Sequence, residues 1–302
     1  MHDPLREFRE ALAAFGLGTP EIIADGLLHR FRAPDDKPGS KNAWYVLHLD
    51  RPAAGAFGSW RTGDSATWCE RPDGRLDPEE RLRLEATIAQ GRAAQEEERH
   101  QRQAAAAQRA AGIWAAATPA DPGHPYLVRK GIGPHGIRQT GAGLLLVPVR
   151  AGERLLSLQT ITPAGEKRFL PGGQVAGAYY RVPGTLSAPL VIGEGFATVA
   201  SLVEATGAPG IVAFFAGNLA PVAKAMRRDH PDLEIIVAGD NDAATPGNPG
   251  ATQATAAARA IAAKVLIPSF EGLERHGTDW NDWLALTRRR HPAASLAGGH
   301  HG

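Results

Sequence analysis

The chain has 302 residues, 43% of them hydrophobic and 22% charged, with a formal net charge of +1. That apolar content can build a core over one or two domains and excludes wholesale disorder. The single cysteine, Cys69, excludes an intrachain disulfide and a cysteine-built zinc ribbon, so no zinc is expected.

The eleven histidines show no paired-ligand spacing, and His300 and His301 fall in a Gly-rich tail, so a histidine metal site is not expected. No apolar run approaches the ~20 residues that cross a bilayer. The first sixteen residues lack the continuous apolar stretch of a secretory signal. A cytoplasmic chain without a membrane partner is expected.

Residues 4–15 carry apolar side chains at helical spacing. Between 27 and 62 the pieces LLHRF, WYVLHLD and AGAFGSW, punctuated by Pro, Gly and Asp, predict a small antiparallel sheet. This small N-terminal α+β region, 1–76, carries no catalytic set and reads as scaffold or docking surface. Asp77-Pro78-Glu79-Glu80 is a helix start, with Asp as N-cap, Pro at the first position and acids in the first turn. The proline-free stretch that follows predicts a connecting helix over 77–117, ~60 Å long if continuous. Its apolar positions thin out after Ile88, and QEEERHQRQ is polar all round, so it reads as solvated, with Gly91 the place for a break. A coiled-coil seam is the weaker reading, because the core positions are mostly Ala or polar.

Thr118 to Pro125 is a linker in composition. A short helix (YLVRKGI), strands at 143–150 and 154–162 and a hairpin-like KRFL at 167–170 then predict a separate α+β subdomain over 118–188. From 189 to 290 the order is strand (189–192), helix (197–205), strand (211–215), helix (221–228), strand (233–238), helix (251–263), strand (KVLIP) and a last helix from Asp282. That alternation predicts an α/β domain with a mainly parallel sheet. Residues 291–302 read as a flexible tail.

Charge divides along the same lines. Residues 121–190 hold eight Lys/Arg against three acids, whereas 191–290 hold eleven acids against nine bases. A basic block beside an acidic one suits a polyanion groove next to a cation site, although uneven surface charge explains the same counts.

Three acidic clusters fall at the carboxyl ends of predicted strands: Glu194 within Gly193–Gly195, Asp240 and Asp242 around Asn241, and Asp279 with Asp282 in the loop after KVLIP. Ligand sites in open α/β sheets form outside those strand ends. Carboxylates two apart in a sharp turn can converge on a hard cation such as Mg²⁺, and a pair of ions can serve an in-line displacement at phosphorus. A helix-capping Asp accounts for most isolated Asp-x-Asp turns. It accounts poorly for three clusters on successive strands.

On these residues the chain resembles the Toprim fold of bacterial primases, topoisomerases and some nucleases. The family pattern is a strand-terminal Glu, matched by Glu194, then an Asp-x-Asp, matched by Asp240 and Asp242, then a further acidic loop beginning at Asp279. The resemblance implies Mg²⁺ or Mn²⁺, two or more ions, held by these four with Asp282. Two departures stand out. Thr198 occupies the position four after the Glu where replicative primases carry Asp. The third cluster reads Asp279-Trp280-Asn281, with Asp282 one place late, leaving open whether Asn281 or Asp282 completes it.

The segment LLLVPVR, RLLSLQTI, GEKRFLPGG and AYY resembles the basic subdomain that precedes Toprim in primases, closest to those of phages, conjugative plasmids and other mobile elements. By position it implies Lys167 and Arg168 as nucleotide or DNA contacts, with Arg129, Lys130 and Arg150 behind them. The resemblance thus implies a DNA primase that makes short RNA primers from nucleoside triphosphates on single-stranded DNA. The primase zinc ribbon has no counterpart here, so a helicase or a separate template-recognition protein is the implied partner. The rivals are a Toprim nuclease using the same acids and a non-catalytic module that binds single-stranded DNA. Trp280 and Trp283 could stack on bases, but read better as core residues of the last helix.

Overall fold

The computed structural model describes residues 3–50, 52–70, 78–273 and 277–290. The predicted N-cap Asp77 and the predicted tail 291–302 lie outside them. Among the described residues no helix is long and apolar enough to cross a membrane. The chain divides into two compact units, Met1–Gln101 and Arg102–Gly302.

In the first unit, α1 (Pro4–Ala14) starts where Asp3 accepts hydrogen bonds from the Leu5 and Arg6 N–H groups. It lays Phe8 and Leu12 onto a four-stranded antiparallel sheet of β1 (His29–Phe31), β2 (Ala43–His48), β3 (Ala54–Ser59) and β4 (Ser65–Cys69), in that order. The first three strands are where the aromatic pieces predicted them. β4 was not predicted; its sequence, Ser-Ala-Thr-Trp-Cys, is half exposed and carries little apolar alternation. Gly55 sits under the Phe8 ring, where a Cβ would stand 2.6 Å from Cε2. The long helix α2 (Pro78–Ala116) runs through Gly91 without a break, and the division between the units falls within it.

The second unit has two five-stranded sheets. The first is antiparallel, in the order β5 (Thr118–Pro119), β6 (Arg138–Gln139), β7 (Leu145–Ala151), β8 (Arg154–Ile161) and β9 (Lys167–Phe169). The predicted linker at 118–119 therefore joins a sheet edge. Helix α3 (Pro125–Lys130) precedes β6; His124 Nδ1 accepts from the Tyr126 N–H at its start, and Gly131 closes it in the left-handed region.

The second sheet has the order β10 (Tyr180–Arg181), β12 (Gly210–Val212), β11 (Leu190–Gly193), β13 (Ile235–Ala238) and β14 (Lys264–Leu266). All its pairings are parallel except that of β10 with β12. Helices α4 (Phe196–Thr206), α5 (Leu219–Asp229), α6 (Pro249–Ala260) and α7 (Trp280–Arg290) cover it. Alternate strand residues face opposite ways. Leu190 and Ile192 pack with Leu219 and Val222 of α5 and Ala254 of α6, whereas Val191 packs with Leu202, Trp280 and Leu284 on the side of α4 and α7. The parallel α/β prediction is met.

The segments predicted as 118–188 and 189–290 share one core, in which Leu145, Val147 and Val149 of β7 meet Phe196, Val199 and Val212.

Candidate active site

β11 and β13 lie side by side, Ile192 beside Val237 and Gly193 beside Ala238, so the residues that follow them emerge together at the carboxyl edge. Glu194 follows β11, Asp240 follows β13, and Asp279 sits in the turn before α7. All three line one cavity of about 270 Å³. The sharp turn after β13 needs Gly239, because a Cβ there would stand 2.5 Å from Ala254 Cβ and 2.7 Å from Ile267 Cδ1.

The carboxylates are held together against their charge. Burial pushes Asp240 up to about 8, helped by the negative charges of Glu194, Asp279 and Asp242 and opposed by Lys167. Burial, then the Asp242 charge, also raises Glu194, with the Ala216 N–H and Lys167 opposing. Glu194 Oε2 is buried and has no hydrogen-bond partner. Acids crowded at this cost, with an unpaired carboxylate oxygen among them, fit a cation that would relieve both strains. Oxygen donors of this type suit Mg²⁺ or Mn²⁺. Among the described residues no three carboxylate, imidazole or thiolate groups stand close enough to enclose one ion by themselves. Mg²⁺ commonly takes one or two carboxylates and completes its shell with waters and substrate phosphates.

The other expected acids stand around this cleft. Asp242 is outside its lining; its Oδ2 accepts from the Gly250 N–H at 3.3 Å, in the first turn of α6. Asp279 Oδ1 accepts from the Asp282 N–H at 2.8 Å, and Asp282 Oδ2 from the Thr278 N–H at 3.3 Å. Asp282 lines a neighbouring cavity of about 620 Å³ with Asn241 and Thr278. The Asn281 amide is spent on packing: buried, it donates to Lys130 O at 2.6 Å and Ser201 Oγ at 2.8 Å. Of the two residues left open for the third cluster, Asp282 is the one that brings a carboxylate beside Asp279, with Oδ2 accepting from Thr278 and Oδ1 3.6 Å from Lys130 Nζ.

Lys167, Arg129 and Lys130 bring positive charge into the same cleft. Lys167 is exposed as a whole residue, but its Nζ reaches over Gly195, 3.5 Å from where a Cβ there would stand. Burial of the ammonium pushes it down; Lys130 adds to this, while Asp279, Asp240 and Glu194 pull it back. Arg129 donates to Pro163 O at 3.0 Å and lies 5.7 Å from the centre of the Tyr126 ring.

The remaining two expected bases are elsewhere. Arg168 is the next residue on β9, lies outside the cleft lining, and sits 80% exposed with Glu166 at 3.5 Å. Arg150 donates to Glu153 O at 2.7 Å and lines another cavity with Tyr179 and Arg181.

Tyr126, Thr198 and Phe214 also line the cleft and were not picked out as site residues. Thr198 stands with its Oγ1 3.5 Å from Asp240 Oδ1. Phe214 holds φ at +75°, a region that costs a bulky side chain roughly 1–3 kcal/mol, and meets Phe169 edge-on. Burial, with the Asp279 charge behind it, pushes the Tyr126 phenol up to about 12 against the pull of Arg129. Nothing in the sequence distinguished Tyr126 from an ordinary core aromatic.

Residues 189–289 match the family model of the Toprim domain. In an alignment of 282 positions that covers 88% of it, the chain is 36% identical to a DNA primase TraC of Escherichia coli, and in one of 294 positions that covers 90% of it, 35% identical to a second DNA primase TraC from that organism. The chain spans 26% and 20% of these two relatives, about a quarter and a fifth of their length. Among solved structures it is similar to the primase fragment of the bacteriophage T7 primase-helicase protein, at 15% identity and a TM-score of 0.42, over 56% of this chain and 73% of that one. The family match and the two TraC relatives bear out the resemblance to Toprim primases read from the sequence.

Proposed function

We propose that this chain, whose residues 189–289 form a Toprim domain, is the catalytic part of a DNA primase that joins nucleotides into short RNA primers on single-stranded DNA. The observation that carries this reading is the meeting, in one cleft, of Glu194, Asp240 and Asp279 with Lys167, Lys130 and Arg129. A carboxylate cluster alone serves hydrolysis as well as synthesis. Three cationic side chains facing it suit a substrate that brings its own chain of phosphates.

Glu194, Asp240, Asp242 and Asp279, with Asp282 beside them, would hold Mg²⁺ or Mn²⁺. Two or more bound ions would neutralise the triphosphate and acidify the attacking 3′-hydroxyl. Lys167, Lys130 and Arg129 bind the phosphates and orient them, reading charge and not sequence. Glu194 is the carboxylate of this cleft that would take up or relay the proton that the hydroxyl gives up. Phe214 and the ring of Tyr126 wall the cleft and limit access of bulk water. A helicase or another template-binding protein would supply template recognition and unwinding.

The test is incubation with single-stranded DNA, labelled nucleoside triphosphates and Mg²⁺ or Mn²⁺, beside the Asp240→Ala variant. Short labelled products from the wild type alone support the reading. DNA degraded without new product would move it to a nuclease, and DNA binding indifferent to metal and to Asp240 would leave a non-catalytic binding module.

A further inference from the structure

Tyr126 occupies a place that phenylalanine would fill at lower cost. It is 2% exposed and belongs to the core formed with Leu127, Leu145 and Phe196. Its Oη is shut off from solvent and has no hydrogen-bond partner. An unpaired buried hydroxyl costs roughly 1–3 kcal/mol. Buried polar groups are almost always satisfied, and one that is not calls for an explanation such as a water, an ion or a ligand. Glu194 Oε2 is the other such atom on a residue of this cleft, and there a cation would supply what is missing.

A phenol needs something different. It is neutral in the ordinary pH range and carries one proton to donate. Among the groups that line the cleft, Arg129, Lys130 and Lys167 can only donate, so an occupant that satisfies all of them must be rich in acceptors and negatively charged. The cavity of about 270 Å³ has room for a small anionic group.

Resting on the primase reading, we propose that the Tyr126 hydroxyl is a substrate-binding group that donates a hydrogen bond to a phosphate oxygen of the incoming nucleoside triphosphate. It completes a donor set with Arg129, Lys130 and Lys167 that faces the carboxylates across the cleft. The hydroxyl contributes to binding and leaves the proton transfers of the reaction to other groups.

The experiment is primer synthesis on single-stranded DNA with Mg²⁺ or Mn²⁺, titrated with ATP and GTP, for the wild type and Tyr126→Phe. The same two proteins are compared by thermal melting and by their affinity for template DNA. The expected result is a KM for nucleotide raised five- to twentyfold, with kcat and template affinity within twofold and a melting temperature equal to or above the wild type. An unchanged KM beside an active wild type would overturn this proposal alone, leaving an ordered water as the hydroxyl's partner. A variant that melts well below the wild type would make the hydroxyl structural and overturn it too, as would a loss confined to template affinity. A wild type that makes no product would instead sink the primase reading and this inference with it.

Discussion

Lys130 carries its ammonium to within 3.6 Å of Asp279 Oδ2, tying the end of α3 to the turn that precedes α7. The same Nζ stands 3.6 Å from Asp282 Oδ1, so one positive charge holds two acids in place. All three side chains are partly exposed, which keeps the contribution small. Lys130→Met should lower stability by about 0.5–1 kcal/mol in low salt, and the difference should shrink toward zero near 1 M salt as screening removes the attraction. Urea unfolding at the two salt concentrations measures it; a loss independent of salt would mean that the stem, and not the charge, matters.

Asp240 gives a pH dependence whose sign can be worked out. Its folded value of about 8 lies above the ordinary 3.8, so between these values the folded chain binds a proton that the unfolded chain releases. Without metal, its contribution is fully present below about pH 4 and is lost as pH rises through about 8. Asp240→Asn should flatten that fall in chelator, and saturating Mg²⁺ should flatten it in the wild type, because a cation takes over from the proton. Melting temperature against pH, with chelator and with Mg²⁺, is the measurement; a wild-type curve that rises from pH 5 to 8 in chelator would contradict the assignment.

Neighbouring positions on β9 should behave differently. Lys167→Ala should raise the KM for nucleoside triphosphate about tenfold or more, as expected for a lost charged contact, whereas Arg168→Ala should stay within twofold. Steady-state primer synthesis decides between them, and equal losses would mean that the strand's two faces contribute alike.

Gly239→Ala inserts a Cβ against Ala254, Ile267 and the Gly250 carbonyl, the last at 3.0 Å. The Ile267 methyl can turn aside, but the Ala254 Cβ and the Gly250 carbonyl cannot, so a loss of about 1–3 kcal/mol is expected. Activity should fall further than stability, because the displaced turn carries Asp240. Chemical denaturation and primer synthesis on one preparation separate the two effects.

Asn281→Ala leaves Lys130 O and Ser201 Oγ without their donor and should cost about 1–3 kcal/mol. Asn281→Asp should cost more, since a carboxylate would face a carbonyl oxygen that only accepts. Apparent metal affinity of whatever remains folded should be unchanged in Asn281→Ala. A weakened affinity would return Asn281 to the cation site.

The acids were legible in the sequence because strand, glycine and carboxylate recur together, and a parallel sheet leaves little freedom about where strand ends point. Glu194 and Asp240 reach one cleft for that reason, whereas Asp279 comes to it on the turn before α7. The bases were less legible. Lys167 and Arg168 are adjacent and chemically alike, and only the side of β9 that each faces separates them; that depends on the register of the β8–β9 hairpin and on what packs against each face. Arg150 was drawn in by its charge, but its strand shifts register between Val149 and Arg150, and its guanidinium is engaged by Glu153. Tyr126 was invisible because burial and an unmet hydrogen bond are properties of the packed state. The short strands β5, β6 and β10 have two residues each, too few for any periodicity to register.

Strand β10 has a practical consequence for anyone cutting this chain. Tyr180 and Arg181 pair with Val212 and Ile211, so the mainly parallel sheet borrows its edge from residues upstream of 189. A fragment trimmed to begin at 189 would bare the outer side of β12, whose residues Gly210–Val212 are all buried, and offer its unpaired backbone to a neighbouring molecule. The family match marks the stretch that can be aligned; the piece that can be expressed without a sticky edge starts further back, toward the Arg102 limit of the second unit.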